Sequence, residues 1–381
     1  MKKNILFLFI VSICLLCCCE QNTIIVHKGE NKAGQENVLL EWDSIVIDAF
    51  DTSGQGRYFM LDSVISYADY QYARIYNYNC HTGKLISQHF GRGQGPNEST
   101  GFFFATPVEN DSSVFLLDNN IRASFYDFKN YNLTKAKNLD FGWSGQYTGN
   151  YELPSSYTFM SMTDLGGNVY NHEEKLLIPV NAVIKYTCEN EIVTLDYFKK
   201  SHIFGLVDKQ SMEFKKVFGN YPPSYHKGLM PHLGFFSHVL YEDTLYVSFP
   251  VDSLIYVYKY PDQLLYAFGN ECNGINRNYT TSNTYTMELF DDLRTKGVNT
   301  EIMYFPETGI FTRTYYRNGI FTDSYGLQIY NKNHDLIADI SVPQYFKLLG
   351  YYQSTFYGIT SFPEETDENT FFTFYKFKIL S

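Results

Sequence analysis

From about position 38 onward, the chain alternates short apolar runs with clusters of Gly, Asn, Asp and Ser, the pattern of strands separated by turns. Runs at 58–62, 73–79 and 84–90 are echoed at 114–118, 123–128 and 133–141, and again at 245–250, 254–260 and 263–268. Less regular copies follow at 310–315, 327–331 and 336–342, then at 355–361 and 371–380. The pair Phe-Gly closes several copies, at Phe90-Gly91, Phe141-Gly142, Phe218-Gly219 and Phe268-Gly269. Only residues 285–296 approximate a helical face, through Met287, Leu289, Phe290 and Leu293.

Runs such as Ile255-Tyr256-Val257-Tyr258 are apolar on both faces, so each sheet needs a neighbour on either side. A pair of β-sandwiches would use the same strand-turn grammar, but the recurring interval favours radial stacking. The expectation is an all-β fold, a β-propeller of six blades, each a four-stranded antiparallel sheet. A strand at 39–48 would pair with 371–380, completing the last blade and removing its open edge. The expected organisation is a signal segment at 1–18, a polar tether at 19–37 and one domain at 38–381.

Composition narrows the function classes. The 34 Tyr, 32 Phe and 2 Trp make the chain 18% aromatic, and 44% of it is hydrophobic, which excludes a disordered chain. The net charge of −11, without a basic run, argues against a nucleic-acid partner.

Lys2 and Lys3 precede an apolar run at 5–16 that is short for a membrane span. Leu15 and Leu16 lead directly into Cys17, Cys18 and Cys19, which resembles the lipobox of bacterial lipoproteins. The resemblance implies acylation of Cys19, with Cys18 as the alternative, and removal of the residues before it. It places the protein in the cell envelope, as an outer-membrane lipoprotein held by its lipid. The single acid Glu20 after the cysteines favours the periplasmic face. Cys80, Cys188 and Cys272 are left, enough for one disulfide at most.

Gly91-Arg92-Gly93-Gln94-Gly95-Pro96-Asn97-Glu98 resembles the turn of six-bladed propeller lipoproteins of Bacteroides-type bacteria, a group related to NHL and TolB-like propellers. Physically it reads as a tight loop in which Arg92 and Glu98 pair; it lacks the Gly-Lys-Ser/Thr end of a phosphate loop. Asp-Ser/Thr-aliphatic triplets beginning at Asp43, Asp62, Asp243 and Asp252 resemble an O-glycosylation acceptor, and read equally well as turns entering strands.

Catalytic signatures are sparse. There is no Gly-x-Ser-x-Gly elbow, and His172-Glu173-Glu174 lacks the second histidine of a zincin. No cofactor or metal is expected. His226, His232 and His238 recur every six residues and read as imidazoles in a surface loop. Tyr221, Tyr225, Tyr315 and Tyr316 are the loop aromatics that would meet a ligand. The expected role is binding or scaffolding through loops at the propeller mouth, by Arg92, Asn97, Glu98, Tyr221, Tyr225, His226 and His232. The partner would be an envelope protein or a glycan, with the membrane touched only through the lipid. The alternative is a hydrolase, lactonase or lyase acting on a carbohydrate-like substrate, with acids and histidines gathered at the central mouth. A structural subunit of an envelope complex is the third class.

Overall fold

The computed structural model describes residues 24–27, 29–33, 39–48, 52–93, 95, 98–109, 112–118, 120–141, 150–160, 167–183, 185–186, 191–284, 287–360, 364–365 and 370–380. Among them, 24 of the 29 strands form six antiparallel meanders of four, and five short strands lie outside these. The first comprises Gly56–Leu61, Val64–Asp69, Arg74–Asn79 and Leu85–Phe90; the second Phe102–Glu109, Ser113–Asp118, Arg122–Asp127 and Leu133–Asn138. The third comprises Val169–His172, Lys175–Ala182, His202–Asp208 and Phe214–Asn220; the fourth Ser237–Tyr241, Thr244–Ser248, Ile255–Lys259 and Gln263–Phe268. The fifth comprises Val298–Phe305, Ile310–Tyr316, Tyr325–Tyr330 and Leu336–Ser341. The sixth takes Phe346–Tyr352, Thr355–Thr360 and Thr370–Leu380 from the C-terminus and Leu39–Asp48 from the N-terminal side. Their pairing runs in unbroken antiparallel register from Leu39 opposite Leu380 to Asp48 opposite Phe371, as the sequence pattern anticipates.

The first strands of successive meanders meet one another. The second and third join into one curled sheet through parallel pairing of Val169 with Val108 and Tyr170 with Glu109. The Tyr170 hydroxyl donates to the His238 carbonyl of the fourth. First strands of the fourth and fifth, fifth and sixth, sixth and first, and first and second meanders also pack together. The two-residue alternation of a strand serves both neighbours: Tyr58 buries with Tyr357, Phe372 and Phe374 of the sixth meander, while Phe59 buries with Phe102 and Leu116 of the second. A similar cluster of Ile255, Phe268, Phe311 and Tyr330 fills the seam between the fourth and fifth.

Three expectations change. The helical stretch is a 3-10 turn, Met287–Phe290, followed by one short helix, Asp291–Thr295. Tyr315 and Tyr316 are buried strand residues of the fifth meander, not loop aromatics. Residues 24–27 and 29–33, read as part of a tether, are docked as a strap: Val26–His27 pairs in parallel with Ala267 and Phe268 on the outer edge of the fourth meander. The strap then reaches the fifth meander, where Asp335 accepts from the Glu30 amide and pairs with Lys32 at 3.0 Å.

Candidate functional site

The seam between the third and fourth meanders is not filled at its outer end; it opens as a groove of about 510 Å³. One wall is the last strand of the third meander, where period-2 alternation puts Lys216, Phe218 and Asn220 on one face. His202 sits opposite Asn220 in the ladder and joins that wall. The facing wall is Tyr256, Tyr258 and Leu264, with Tyr258 and Leu264 paired across strands. Pro222, Pro223 and Glu152 border one end, and Ile24 of the strap enters the lining. At the other end Lys216 reaches across to Asp262 at 2.8 Å.

Polar atoms in the groove are held in place by the backbone. The Tyr157 hydroxyl accepts from the His202 amide at 2.9 Å, and His202 Nδ1 lies 3.1 Å from the Gly219 carbonyl. That contact orients the ring so that Nε2 lies 3.7 Å from the Glu152 carboxylate. Nε2 is buried without a hydrogen-bond partner. Tyr256 donates to Asp252 at 2.8 Å, and burial drives the Tyr256 and Tyr258 phenols far above their usual range, so both stay neutral. An aromatic and aliphatic floor with an imidazole, an amide and a carboxylate at one end suits an amphipathic ligand that offers hydroxyls or amides to hydrogen-bond.

The residues singled out from sequence fall into three groups. Cys18, Cys19 and Asn97 lie outside the described residues. Arg92 and Glu98 are exposed on a tight turn closed by Gly93 N–H to Ser99 O at 3.0 Å and Ser99 N–H to Gly91 O at 2.9 Å. They do not form the expected ion pair: the Glu98 carboxylate accepts the Gly95 amide at 2.8 Å instead, and it occupies the space that a Cβ on Gly93 would need.

Tyr221, Tyr225 and His232 correct the surface-loop expectation, because all three are buried. Tyr221 donates to the Gly234 carbonyl at 2.7 Å and Tyr225 to the Leu233 carbonyl at 2.5 Å, so their hydroxyls clamp the next turn instead of facing solvent. His232 Nε2 lies 3.1 Å from Asp292, whose carboxylate also accepts the Thr280 amide and hydroxyl. Burial lowers the His232 pKa against the pull of Asp292. His238 is fully buried among Tyr170, Phe204 and Phe236, and burial pushes it down to about 3. His226 alone of this set is partly exposed. Of the predicted residues, only Tyr221 lines the groove, by its edge. The turn with Arg92 and the segment with Tyr221 both link the last strand of one meander to the first of the next, which puts them at one end of the sheets but in different sectors.

Sequence reasoning missed His202, Glu152 and Tyr258. The alternation of Lys216, Phe218 and Asn220 was readable, but the facing wall 40 residues on carries no motif that links the two. Where first strands of the first, second, fifth and sixth meanders approach one another there is a much smaller space, of about 70 Å³. Its lining includes Arg57, Asn168, Glu301 and Lys347; among the described lining residues there is one carboxylate and no histidine. Arg57 is turned onto the Gly167 carbonyl at 2.5 Å and Asn168 Oδ1 at 2.6 Å. Cys80 and Cys272 are buried free thiols, and Cys188 lies outside the described residues. Among the described residues no group of three metal-ligating side chains converges.

The architecture is that of an all-β protein built from sequential four-stranded sheets, and solved structures of Bacteroides proteins share it. A member of the DUF4221 family from Bacteroides vulgatus matches with a TM-score of 0.62 at 14% identity, covering 90% of this chain and 98% of that one. A putative exported protein from Bacteroides fragilis matches with a TM-score of 0.50 at 13% identity, over 94% of this chain and 100% of that one. At such identities the likeness is one of fold. No family model and no curated protein matches the chain.

Proposed function

We propose that this chain is an envelope lipoprotein of the six-bladed propeller type that acts as a binding module, with the groove between its third and fourth meanders as the ligand site. Six meanders whose first strands touch in cyclic order support radial closure, and the sixth is completed by the N-terminal strand 39–48. Cys19, or Cys18, carries the lipid, and the likeness to an exported Bacteroides protein favours an envelope location. The observation that carries the binding reading is the groove itself: about 510 Å³, aromatic-walled, with His202, Asn220 and Glu152 presented at one end. The ligand is a glycan or a segment of an envelope protein. The exposed Arg92 and Glu98, with Asn97 between them in sequence, and, in another sector at the same end of the sheets, His226 are further candidate contacts.

Hydrolysis is the alternative reading, and it would place its acids and imidazoles at the mouth of the propeller instead of in this groove. The test is crosslinking in living cells, then comparison of adducts from the wild-type chain and an Asn220→Ala/Glu152→Ala variant. Loss of a dominant adduct in the variant, at equal protein level, supports the groove. An adduct that survives the variant but disappears with Arg92→Ala moves the site to the turn.

A further inference from the structure

Three of the exposed apolar side chains lie at the junction of the strap with the fourth meander. Ile25 is 66% exposed, Val26 42% and Leu265 40%, and they lie together where the strap pairs with the outer edge of the fourth meander. Leu265 is the residue skipped by a register shift between its strand and the preceding one, which turns it out of the ladder. The Ile25 carbonyl accepts the Ala267 amide at 2.9 Å, so the strap is bonded to this edge where the apolar residues emerge. Ile24, one residue earlier, lines the groove. The described chain therefore begins at this patch. The sequence before Ile24 holds the apolar run at 5–16 and the cysteines at 17–19.

We infer that this edge of the fourth meander is a membrane-contact surface, with Ile25, Val26 and Leu265 seated in the lipid headgroup region and the groove opening beside it. The inference rests on the lipoprotein reading. With Cys19 acylated, the five-residue step to Ile24 spans at most about 17 Å, so the lipid cannot be far from the patch. Had residues 19–37 been a free tether, the fold would have no fixed orientation; the docked strap removes most of that freedom. Burial of exposed apolar side chains in the interface adds to the pull of a single lipid group. The ligand of the groove would then be presented at the membrane surface.

A second exposed apolar group provides the internal control. Leu85 is 52% exposed and Ile86 56%, on the outer strand of the first meander, across the ring from the fourth. The experiment uses the full chain expressed with its own N-terminus and reconstituted into phosphatidylethanolamine/phosphatidylglycerol vesicles containing brominated phosphatidylcholine. Three variants, Ile25→Trp, Leu265→Trp and Ile86→Trp, are each compared with the wild-type emission of Trp42 and Trp143. All three sites are exposed, and circular dichroism verifies the fold. Bromine is expected to remove the emission added at 25 and 265 and to leave that at 86. Quenching at 86, or at none of the three in a vesicle-bound acylated protein, overturns the orientation while leaving the lipoprotein reading intact. Intact mass reads acylation independently; a chain with no acyl group that fails to float with vesicles overturns both.

Discussion

Two seams flank the fourth meander, and they are built in opposite ways. Towards the fifth meander, residues of the 269–284 segment add a polar network to the apolar cluster in the seam. Arg313, fully buried, donates to the carbonyls of Ser253 and Asn270 at 2.8 and 2.6 Å and to Gln328 at 3.0 Å. Asn299 links the Phe249 and Asp252 carbonyls to Cys272 and Arg277. Towards the third meander the outer seam stays open: the Asn220 side-chain amide donates to the Ser201 carbonyl at 3.3 Å, His202 Nε2 has no hydrogen-bond partner, and the Glu152 side chain is exposed at the rim. A seam whose buried polar groups satisfy one another is a structural joint, because any ligand would have to break it. A seam that leaves donors and acceptors facing an aromatic groove has capacity for a partner. Polar residues alone do not separate the two; where their hydrogen bonds are spent does.

The strongest way to break this contrast is at Arg313. Replacement by Ala takes the buried donor from the Ser253 and Asn270 carbonyls and leaves Gln328 Oε1 to Tyr330 alone, with an expected loss on the order of 3–5 kcal/mol in urea unfolding. A loss below about 1 kcal/mol would mean that water already reaches this seam.

Acid is the next lever, and its sign follows from the buried imidazoles. His238 is pushed down to about 3 and His334 to about 4, both chiefly by burial, so each is neutral in the fold near pH 6. The unfolded chain takes up those protons at about pH 6.5, so it binds more protons than the fold below that value. Stability is therefore complete above pH 6.5 and falls as pH drops towards the folded values. The slope is at most about 1.4 kcal/mol per pH unit for each histidine. His238→Leu should flatten the decline of the urea midpoint between pH 7 and pH 5; an unchanged decline would remove His238 from the account.

Tyr225→Phe tests the structural role of a residue that sequence marked for binding. Loss of the hydroxyl orphans the Leu233 carbonyl, and a cost of about 1–2 kcal/mol is expected with no change in captured partner. The smallest effect belongs to the open seam. Asn220→Ala and Glu152→Ala should shift stability by only about 0.5 kcal/mol, while adduct formation falls. Thermal unfolding beside crosslinking separates the two readouts.

Much of the fold was legible because short two-faced apolar strands and their turns impose it. The pairing of 39–48 with 371–380 follows from two long apolar runs at opposite ends that each need a partner. The third meander was harder, because its four strands are interrupted by the helix Leu195–Lys200 and by long connections, which stretch the Phe-Gly interval there to 77 residues. Side-chain destinations were less readable. Tyr221, Tyr225 and His232 sit among prolines, as loop residues do, yet the loop packs inward on Phe198, Phe249 and Asp292, which are remote in sequence. The groove is a relation between two strands in different meanders, so no local motif could announce it.

The central claim is that partners dock in the seam between the third and fourth meanders. The most direct measurement places a photo-reactive amino acid at Asn220, Arg92 or Glu301, one variant at a time, in the full-length chain in living cells. These positions report the groove, the exposed turn and the small space among first strands. The account predicts a discrete adduct from position 220, of defined mass and absent without irradiation, with less from 92 and none from 301. An adduct from 301 with none from 220 would contradict it and would move the site to the small space that Glu301 lines.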